Sequence, residues 1–269
     1  MLVDSHLHLG RADYDADREA VLARAEAAGV TRFLEVGYDL ESSARAAALA
    51  RDDGRFCAAV GIHPHDATRI ADADGRLTRD GEAALARLAE LAAGPRVVAI
   101  GEIGLDFYRD LSPRPAQAAA LRAQLGLAKR LGLPVVLHIR DAYPETRELL
   151  VSAGLPERRG VLHAFAGDAS DAAWARRHGF RLGIGGPVTY RSSRLPDLLR
   201  ATDPDGLLLE TDAPWLPPHP YRGRRNEPAW LRLAAEAVAA VCGVPLEELA
   251  RRTTAGFAAL FEPAPDLRG

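Results

Sequence analysis

Short apolar runs recur along the chain, and stretches with helical periodicity separate most of them. The runs predict eight strands, at residues 2–3, 32–36, 56–61, 97–100, 134–137, 160–162, 180–184 and 207–209. The alanine- and leucine-rich stretches between them predict helices, among them 18–28, 42–50, 82–93, 116–131 and 172–178. Strands alternating with helices indicate a parallel sheet, and eight repeats favour its closure. The pattern therefore predicts an α/β fold, a TIM-type (β/α)8 barrel in one domain over residues 1–269, with two further helices in 228–261.

Composition limits the classes that the chain can belong to. Its 269 residues are 48% apolar, enough for a large core, and the net charge of −3 is not that of a general polyanion binder. A local basic patch can still bind nucleic acid. Cys57 and Cys242 have no short spacing, which argues against a zinc ribbon or disulfide framework and fits a reducing compartment. No apolar run reaches the roughly 18 residues of a membrane span, so we expect a cytoplasmic protein without a membrane or obligate protein partner.

Residues of the types that bind metals stand where predicted strands end. They are His6, His8, Glu102, His138, His163 and Asp212. Taken singly, each has a plainer interpretation: an isolated histidine is more often a core residue, Glu102 could cap a helix, and Asp212 could form a turn before Pro214. However, the carboxyl ends of the strands meet at one face of a parallel barrel, and His6 and His8 share one face of a strand. Together they favour a metal site for hydrolysis.

The types of ligand indicate the chemistry. Imidazoles mixed with carboxylates admit Zn, Mn, Fe or Ni, and we expect two divalent ions (Mg, Mn or Zn) as cofactors. Such ions lower the pKa of water from 15.7 to about 7. The only lysine, Lys129, lies in a helical stretch, so a carboxylated lysine cannot bridge the ions and Glu102 is the expected bridge. Asp212 is the predicted general base, which makes Asp212 and Glu102 the catalytic candidates.

A second group of polar residues follows the same predicted strands and is expected to bind substrate. Its members are His63, His65, Arg140, Arg224 and Asn226. The arginine forks suit phosphate, and loops after strands seven and eight of barrels commonly bind it. The plainer alternative is that the histidines line a rim and that the arginines are a solvated cluster. Tyr190 and Trp215 could stack a nucleobase or belong to the core or rim.

Seven motifs, in order, carry a resemblance to a known family. They are Asp4-Ser5-His6-Leu7-His8, Gly61-Ile62-His63-Pro64-His65, Gly101-Glu102-Ile103-Gly104-Leu105-Asp106, His138-Ile139-Arg140-Asp141-Ala142, Leu162-His163-Ala164-Phe165-Ala166-Gly167, Glu210-Thr211-Asp212-Ala213-Pro214 and Arg224-Arg225-Asn226-Glu227-Pro228. The chain resembles the TatD family of metal-dependent deoxyribonucleases, among the amidohydrolase-like barrels. The resemblance implies a TIM-type barrel with two divalent ions, held by the six residues above, that hydrolyses DNA phosphodiesters, often as an exonuclease.

The chain departs from the family pattern at three positions. Ala164 and Ala166 stand where members often have cysteine and serine, and Gly256 stands where asparagine is usual. The first two bear on the shape of the pocket and the third on helix packing, since none of them is an expected ligand. DNA, with single-stranded ends, remains the expected substrate.

Two other functions stay open at this point. The first is a hydrolase of C–N or carboxylic ester bonds on the same metal core, for example an aminoacyl-tRNA deacylase. The second is an interaction protein whose ions are structural. Structural zinc sites are usually closed by four Cys or His ligands, and a set of six with two carboxylates argues against the second.

Overall fold

The computed structural model describes residues 1–262 and contains the eight predicted strands. They are β1 (Leu2–Leu7), β2 (Val30–Val36), β3 (Phe56–Val60), β4 (Val97–Asp106), β5 (Val135–Arg140), β6 (Gly160–Leu162), β7 (Arg181–Ile184) and β8 (Leu207–Leu209). Their order in the sheet follows the chain, from β1 to β8. Leu7 also forms a parallel bridge with Ala213, just after β8. The chain therefore has the predicted TIM-type (β/α)8 barrel fold.

Helices follow most of the strands. They are α1 (Arg18–Ala27), α2 (Leu40–Asp52), α3 (Arg79–Ala92), α4 (Arg114–Leu131), α5 (Tyr143–Ala153), α6 (Ala169–Arg177), α7 (Leu195–Leu199), α8 (Leu231–Cys242) and α9 (Leu246–Phe261). Local sequence signals account for several of their ends. The Asp39 and Asp168 side chains cap the first turns of α2 and α6 in capping boxes. Gly132 ends α4 in the left-handed conformation that glycine adopts without strain.

The chain divides into two compact units. Unit 1 consists of Met1–Leu34 and the described chain from Ala164 onward, and unit 2 is Glu35–His163. The prediction of one domain over residues 1–269 stays a prediction.

In unit 1, the two helices predicted for the tail are present as α8 and α9. They pack against each other, and α9 also packs against β1 and β8. Leu249, Phe257 and Leu260 are buried on α9 at helical spacing. Within residues 1–262 no single helix is long and apolar enough to cross a membrane, and only the bent pair of Pro228–Cys242 and Leu246–Phe261 satisfies the criteria of length and composition.

In unit 2, two buried glutamines on α4 hold the segments that follow β3 and end β4. Gln124 accepts a hydrogen bond from the Ile62 N–H at 2.8 Å and donates to the Ile62 carbonyl at 3.0 Å. Gln117 accepts from the Asp106 N–H at 2.9 Å. The two glutamines are separated by about two helical turns, so one helix face fixes both segments.

The prediction for β4 was wrong in its extent. The apolar run at 97–100 suggested a short strand, but β4 continues to Asp106. The following residues, Gly-Glu-Ile-Gly, resemble a loop locally, and strand pairing with β5 overrides that signal: Ile103 pairs with Leu137 and Asp106 with Arg140. Glu102 therefore lies inside a strand rather than at its end.

Candidate functional site

Unit 1 brings together His6, His8 and Asp212. The Nε2 atoms of the two histidines are 3.1 Å apart, and Asp212 Oδ1 lies 3.8 Å from His6 Nε2 and 3.5 Å from His8 Nε2. Both histidines are buried. Nitrogen ligands at about 2.0–2.1 Å from a zinc ion lie roughly 3 Å from each other. The three donor atoms thus suit one divalent cation, and the role of these residues as ligands stays a prediction.

The loop that carries Asp212 is fixed by hydrogen bonds within unit 1. The Asp212 N–H donates to the His6 carbonyl at 2.9 Å. The neighbouring Thr211 donates its N–H to Asp4 Oδ1 at 2.9 Å, and its hydroxyl lies 2.5 Å from Asp4 Oδ2. Burial raises the pKa of Asp4 to about 8, against the opposing effect of the hydrogen bonds that Thr211 donates to it. The carboxylate of Asp212 is thereby held beside β1.

Unit 2 contains a second cluster, in which the Glu102 carboxylate is the common partner. Glu102 Oε1 lies 2.9 Å from His138 Nδ1, 3.5 Å from His63 Nε2 and 3.8 Å from His163 Nε2. Glu102, His63 and His163 are buried, and His138 is partly buried. The donor atoms of His63, Glu102 and His138 all lie within 4.8 Å of one another, a set that suits a divalent cation. The sequence predicted Glu102, His138 and His163 as ligands and His63 as a substrate-binding residue, and these roles stay predictions.

A β-bulge places Glu102 in this cluster. Between Ile100, which pairs with Val135, and Ile103, which pairs with Leu137, β4 has two residues where β5 has one. Such an extra residue redirects the local side chain. A Cβ on Gly101 would lie 2.6 Å from the Val136 Cβ, so only glycine fits beside β5 at this point.

Asp106 is the site residue that sequence reasoning missed. It is fully buried at the carboxyl end of β4. Its Oδ2 accepts hydrogen bonds from His65 Nε2 at 2.8 Å and His138 Nε2 at 3.1 Å, and its Oδ1 accepts the backbone N–H groups of Tyr108 and Arg109. Asp106 therefore orients one expected ligand and one expected substrate-binding residue. Its place after a strand in Gly104-Leu105-Asp106 was the available signal.

The electrostatics of unit 2 favour positive charge at His138. Burial acts to lower the pKa of His138, but its hydrogen bonds to Asp106 and Glu102 outweigh burial and the pKa is raised. Burial acts to raise the pKa of Asp106, yet hydrogen bonds from His138, the Arg109 N–H and His65 hold it well below its usual range. Burial lowers the pKa of His63 to about 4 against the opposing Glu102 charge. The lowered pKa values keep the Asp106 carboxylate ionised and the His63 imidazole neutral, and both forms are compatible with a cation nearby.

The remaining residues predicted to bind substrate have different environments. The His65 side chain is 30% exposed. Arg140 and Arg224 are exposed, with their guanidinium carbons 4.0 Å from the Tyr108 ring centroid and 5.8 Å from that of Tyr221. These three can reach a ligand from solvent, and their contact with substrate stays a prediction.

Asn226 is in a different position, because it is buried and its side chain is used within unit 1. Its Nδ2 donates to the Thr211 and Trp215 carbonyls at 2.8 and 2.7 Å, and its Oδ1 accepts the Glu227 N–H at 2.9 Å. The structure gives Asn226 the task of holding the Asp212 loop, and its predicted contact with substrate is not tested.

Lys129 lies near the end of α4, as predicted, and donates to the Ala153 carbonyl at 2.7 Å. Neither metal-type cluster described above includes it. The interpretation that this chain does not use a bridging lysine is consistent with that position.

Comparison with known proteins gives one consistent family. A model of the TatD related DNase family matches residues 3–262. The uncharacterized metal-dependent hydrolase YabD of Bacillus subtilis (strain 168) is 38% identical over 262 residues, covering 97% of this chain and 99% of YabD. The 3'-5' ssDNA/RNA exonuclease TatD of Cronobacter turicensis is 42% identical over 267 residues, with 97% of each chain covered.

Solved structures agree with these matches. The crystal structure of YJJV, a TatD homolog from Escherichia coli K12, superposes with a TM-score of 0.89 at 31% identity and covers 98% of each chain. The likeness thus extends over almost the full length of both chains. The chain belongs to the TatD related DNase family and is a metal-dependent hydrolase.

Proposed function

We propose that the protein is an exodeoxyribonuclease that hydrolyses DNA phosphodiester bonds from single-stranded 3′ ends. The observation that carries the proposal is the pair of buried clusters of imidazole and carboxylate donors, each suited to a divalent ion. The direction of digestion is inferred from the Cronobacter turicensis relative, whose name describes a 3'-5' exonuclease of ssDNA and RNA.

The residues proposed as ligands are those that the sequence predicted. His6, His8 and Asp212 would hold an ion in unit 1, and Glu102, His138 and His163 would do so in unit 2, with His63 beside them. When bound, such ions supply Lewis acidity and lower the pKa of the attacking water. Two ions, of Mg, Mn or Zn, are the cofactors that we propose.

Asp212 is the proposed general base. Its side chain is 13% exposed, whereas those of His6 and His8 are 0% and 2% exposed. The carboxylate can therefore meet a water molecule and accept its proton while the imidazoles stay buried. The hydrogen bonds that fix the Asp212 loop keep the carboxylate in place for this transfer. Glu102 is the other catalytic candidate, because its carboxylate lies beside both histidines proposed as ligands in unit 2.

Exposed cationic groups support a phosphodiester as the substrate. Within residues 1–262, neither Arg140 nor Arg224 forms an ion pair with a carboxylate. Guanidinium groups suit phosphate oxygens geometrically, and a neutral carboxylic ester or amide has no need of them. This favours a phosphate-bearing substrate such as DNA over a small neutral ester or amide.

The test uses chelator-treated protein, a 5′-labelled single-stranded oligonucleotide, and Mg, Mn or Zn added back separately. We expect a ladder of shortened products that requires metal and is absent in Glu102→Gln. Glu90→Gln, an exposed residue on α3, is the matched control and should cleave like the natural chain. The same ladder in Glu102→Gln would contradict the proposal, and an unfolded Glu102→Gln chain would favour a structural role for the ions.

A second arm tests the competing substrate class. The Arg140→Ala, Arg224→Ala double variant should lose DNA cleavage while it retains hydrolysis of p-nitrophenyl acetate, a neutral ester. Equal loss of both would contradict the phosphate assignment. Ester hydrolysis without DNA cleavage in the natural chain would establish the other class.

A further inference from the structure

In unit 1, an exposed tryptophan adjoins the His6, His8 and Asp212 cluster. Trp215 is 43% exposed. Its ring centroid is 4.9 Å from that of His8, with the rings at 73°. The guanidinium carbon of Arg11 lies 4.9 Å from the same indole centroid, and Arg11 Nε donates to Asp13 Oδ2 at 2.7 Å. An aromatic surface thus meets solvent directly beside a proposed metal ligand, with an arginine next to it.

The backbone of Trp215 is fixed at both polar groups. Its N–H donates to the Asp212 carbonyl at 2.7 Å, and its carbonyl accepts from Asn226 Nδ2 at 2.7 Å. The backbone that carries the indole is therefore held in the loop of the proposed general base. A tryptophan side chain on a fixed backbone has only two torsion angles to order, so it loses little conformational entropy when a ligand stacks on it.

Another arginine near Trp215 in sequence, Arg222 in the loop that follows β8, lies against an aromatic ring. The Arg222 guanidinium carbon lies 4.6 Å from the Tyr190 ring centroid. Arg225, by contrast, forms an ion pair with Asp17 at 2.5 Å. Within the described chain, Arg222 makes no ion pair with a carboxylate. Arginines interleaved with aromatic side chains are typical of surfaces that bind single-stranded nucleic acid.

We infer that Trp215 is a stacking platform for an unpaired nucleobase, with Arg11 beside it. The inference rests on the proposed function and specifies how the substrate is recognised. A base inside a duplex has both faces covered by its neighbours, so only a terminal or single-stranded base can lie against the indole. Every base offers a π-face, so recognition by stacking is tolerant of sequence. The platform therefore distinguishes unpaired from paired ends and does not distinguish one type of nucleobase from another.

The test compares two oligonucleotides that differ only in whether the 3′-terminal nucleotide has a base or an abasic tetrahydrofuran residue. Stacking on an aromatic side chain contributes enough to change affinity by roughly 5- to 150-fold. For the base-containing substrate, Trp215→Ala should raise KM by that factor with little change in kcat. For the abasic substrate, Trp215→Ala should leave KM within about twofold of the natural chain. Trp215→Phe should restore most of the loss.

Two controls separate stacking from a structural role. Leu77→Ala removes another exposed apolar side chain, in unit 2. It should leave the KM unchanged for both the base-containing and the abasic oligonucleotide. Metal content and thermal midpoint of Trp215→Ala should match those of the natural chain, because the indole adjoins His8. A KM that rises equally for both oligonucleotides, or a loss of bound metal, would overturn the platform.

Failure of the proposed function can be told apart from failure of the platform. If the natural chain cleaves neither oligonucleotide, fluorescence anisotropy of the same labelled molecules measures binding directly. Binding that depends on the terminal base and falls roughly 5- to 150-fold in Trp215→Ala would retain the platform and reject the nuclease. Binding that is unchanged by the substitution would reject both.

Discussion

Replacing Asp106 with asparagine tests how unit 2 orients its ligands. Asparagine keeps an Oδ1 that can accept the Tyr108 and Arg109 N–H groups, now bonded at 3.0 and 2.8 Å. It replaces Oδ2, which accepts from His138 and His65, with an amide NH2 that can only donate. His138 Nε2 could accept a hydrogen bond from that amide only if the proton of the neutral ring lay on Nδ1. Nδ1 faces Glu102 Oε1 at 2.9 Å. An ion in this cluster would need Nδ1 without its proton.

The expected magnitude follows from this loss of a charged acceptor. Removing a carboxylate that orients a ligating histidine typically weakens metal binding by 10- to 100-fold. That range corresponds to about 1.4–2.8 kcal/mol. Because the two backbone hydrogen bonds can remain, we expect the loop after β4 to keep its conformation and the chain to fold.

The assay is metal affinity by competition with a chromophoric chelator, together with circular dichroism to confirm folding. Asp110→Asn is the matched control. It makes the same chemical change in the same loop, where Asp110 pairs with Arg114 at the surface at 3.3 Å. It should leave the affinity within about twofold of the natural chain. An Asp106→Asn variant that is folded and binds metal as tightly as this control would refute the reasoning.

Two further predictions concern stability and thiol reactivity. Gly104→Ala should lower the free energy of unfolding, measured by urea denaturation, by about 3 kcal/mol or more. Gly104 has a φ of 154°, and a Cβ there would overlap the His138 carbonyl oxygen. Gly54→Ala, whose Cβ would meet no atom of the described chain within 4 Å, should cost less than about 1 kcal/mol, and equal losses would contradict the steric argument. Burial raises the pKa of Cys242, so at pH 8 its thiol should react with an aromatic disulfide reagent more slowly than the same thiol in the urea-unfolded chain, and faster as the pH rises further. A reaction rate that stops rising with pH near the ordinary pKa of a thiol would contradict this expectation.

Local periodicity was sufficient to predict the alternation of strands and helices. The spacing of apolar residues depends only on neighbours in the chain, because a strand repeats every two residues and a helix every 3.6. The strand that holds Glu102 shows the limit of such reasoning. Glycine and glutamate after residue 100 carry weak strand preferences, and the pairing of Leu105 with Ile139 on β5 decides the conformation instead.

The candidate ligands were predictable because each is a metal-type side chain on or just after a predicted strand. Their partners were not. The Asp106 carboxylate accepts a hydrogen bond from His138, which is 32 positions away in the sequence. The Asn226 side chain donates to the Thr211 carbonyl, which is 15 positions away. Hydrogen bonds of this kind depend on where the backbone brings distant segments, which no local pattern encodes.

Local spacing and residue type were therefore enough to predict the (β/α)8 fold, the family and the residues of metal-binding type. Four features became visible only in the folded chain: a bulge turns Glu102 into the cluster, Asp106 orients His138, Asn226 holds the Asp212 loop, and Trp215 is exposed beside His8. The reason is physical. Residue type sets what a side chain can donate, accept or bind, but its direction and burial are set by packing between segments that are remote in the chain.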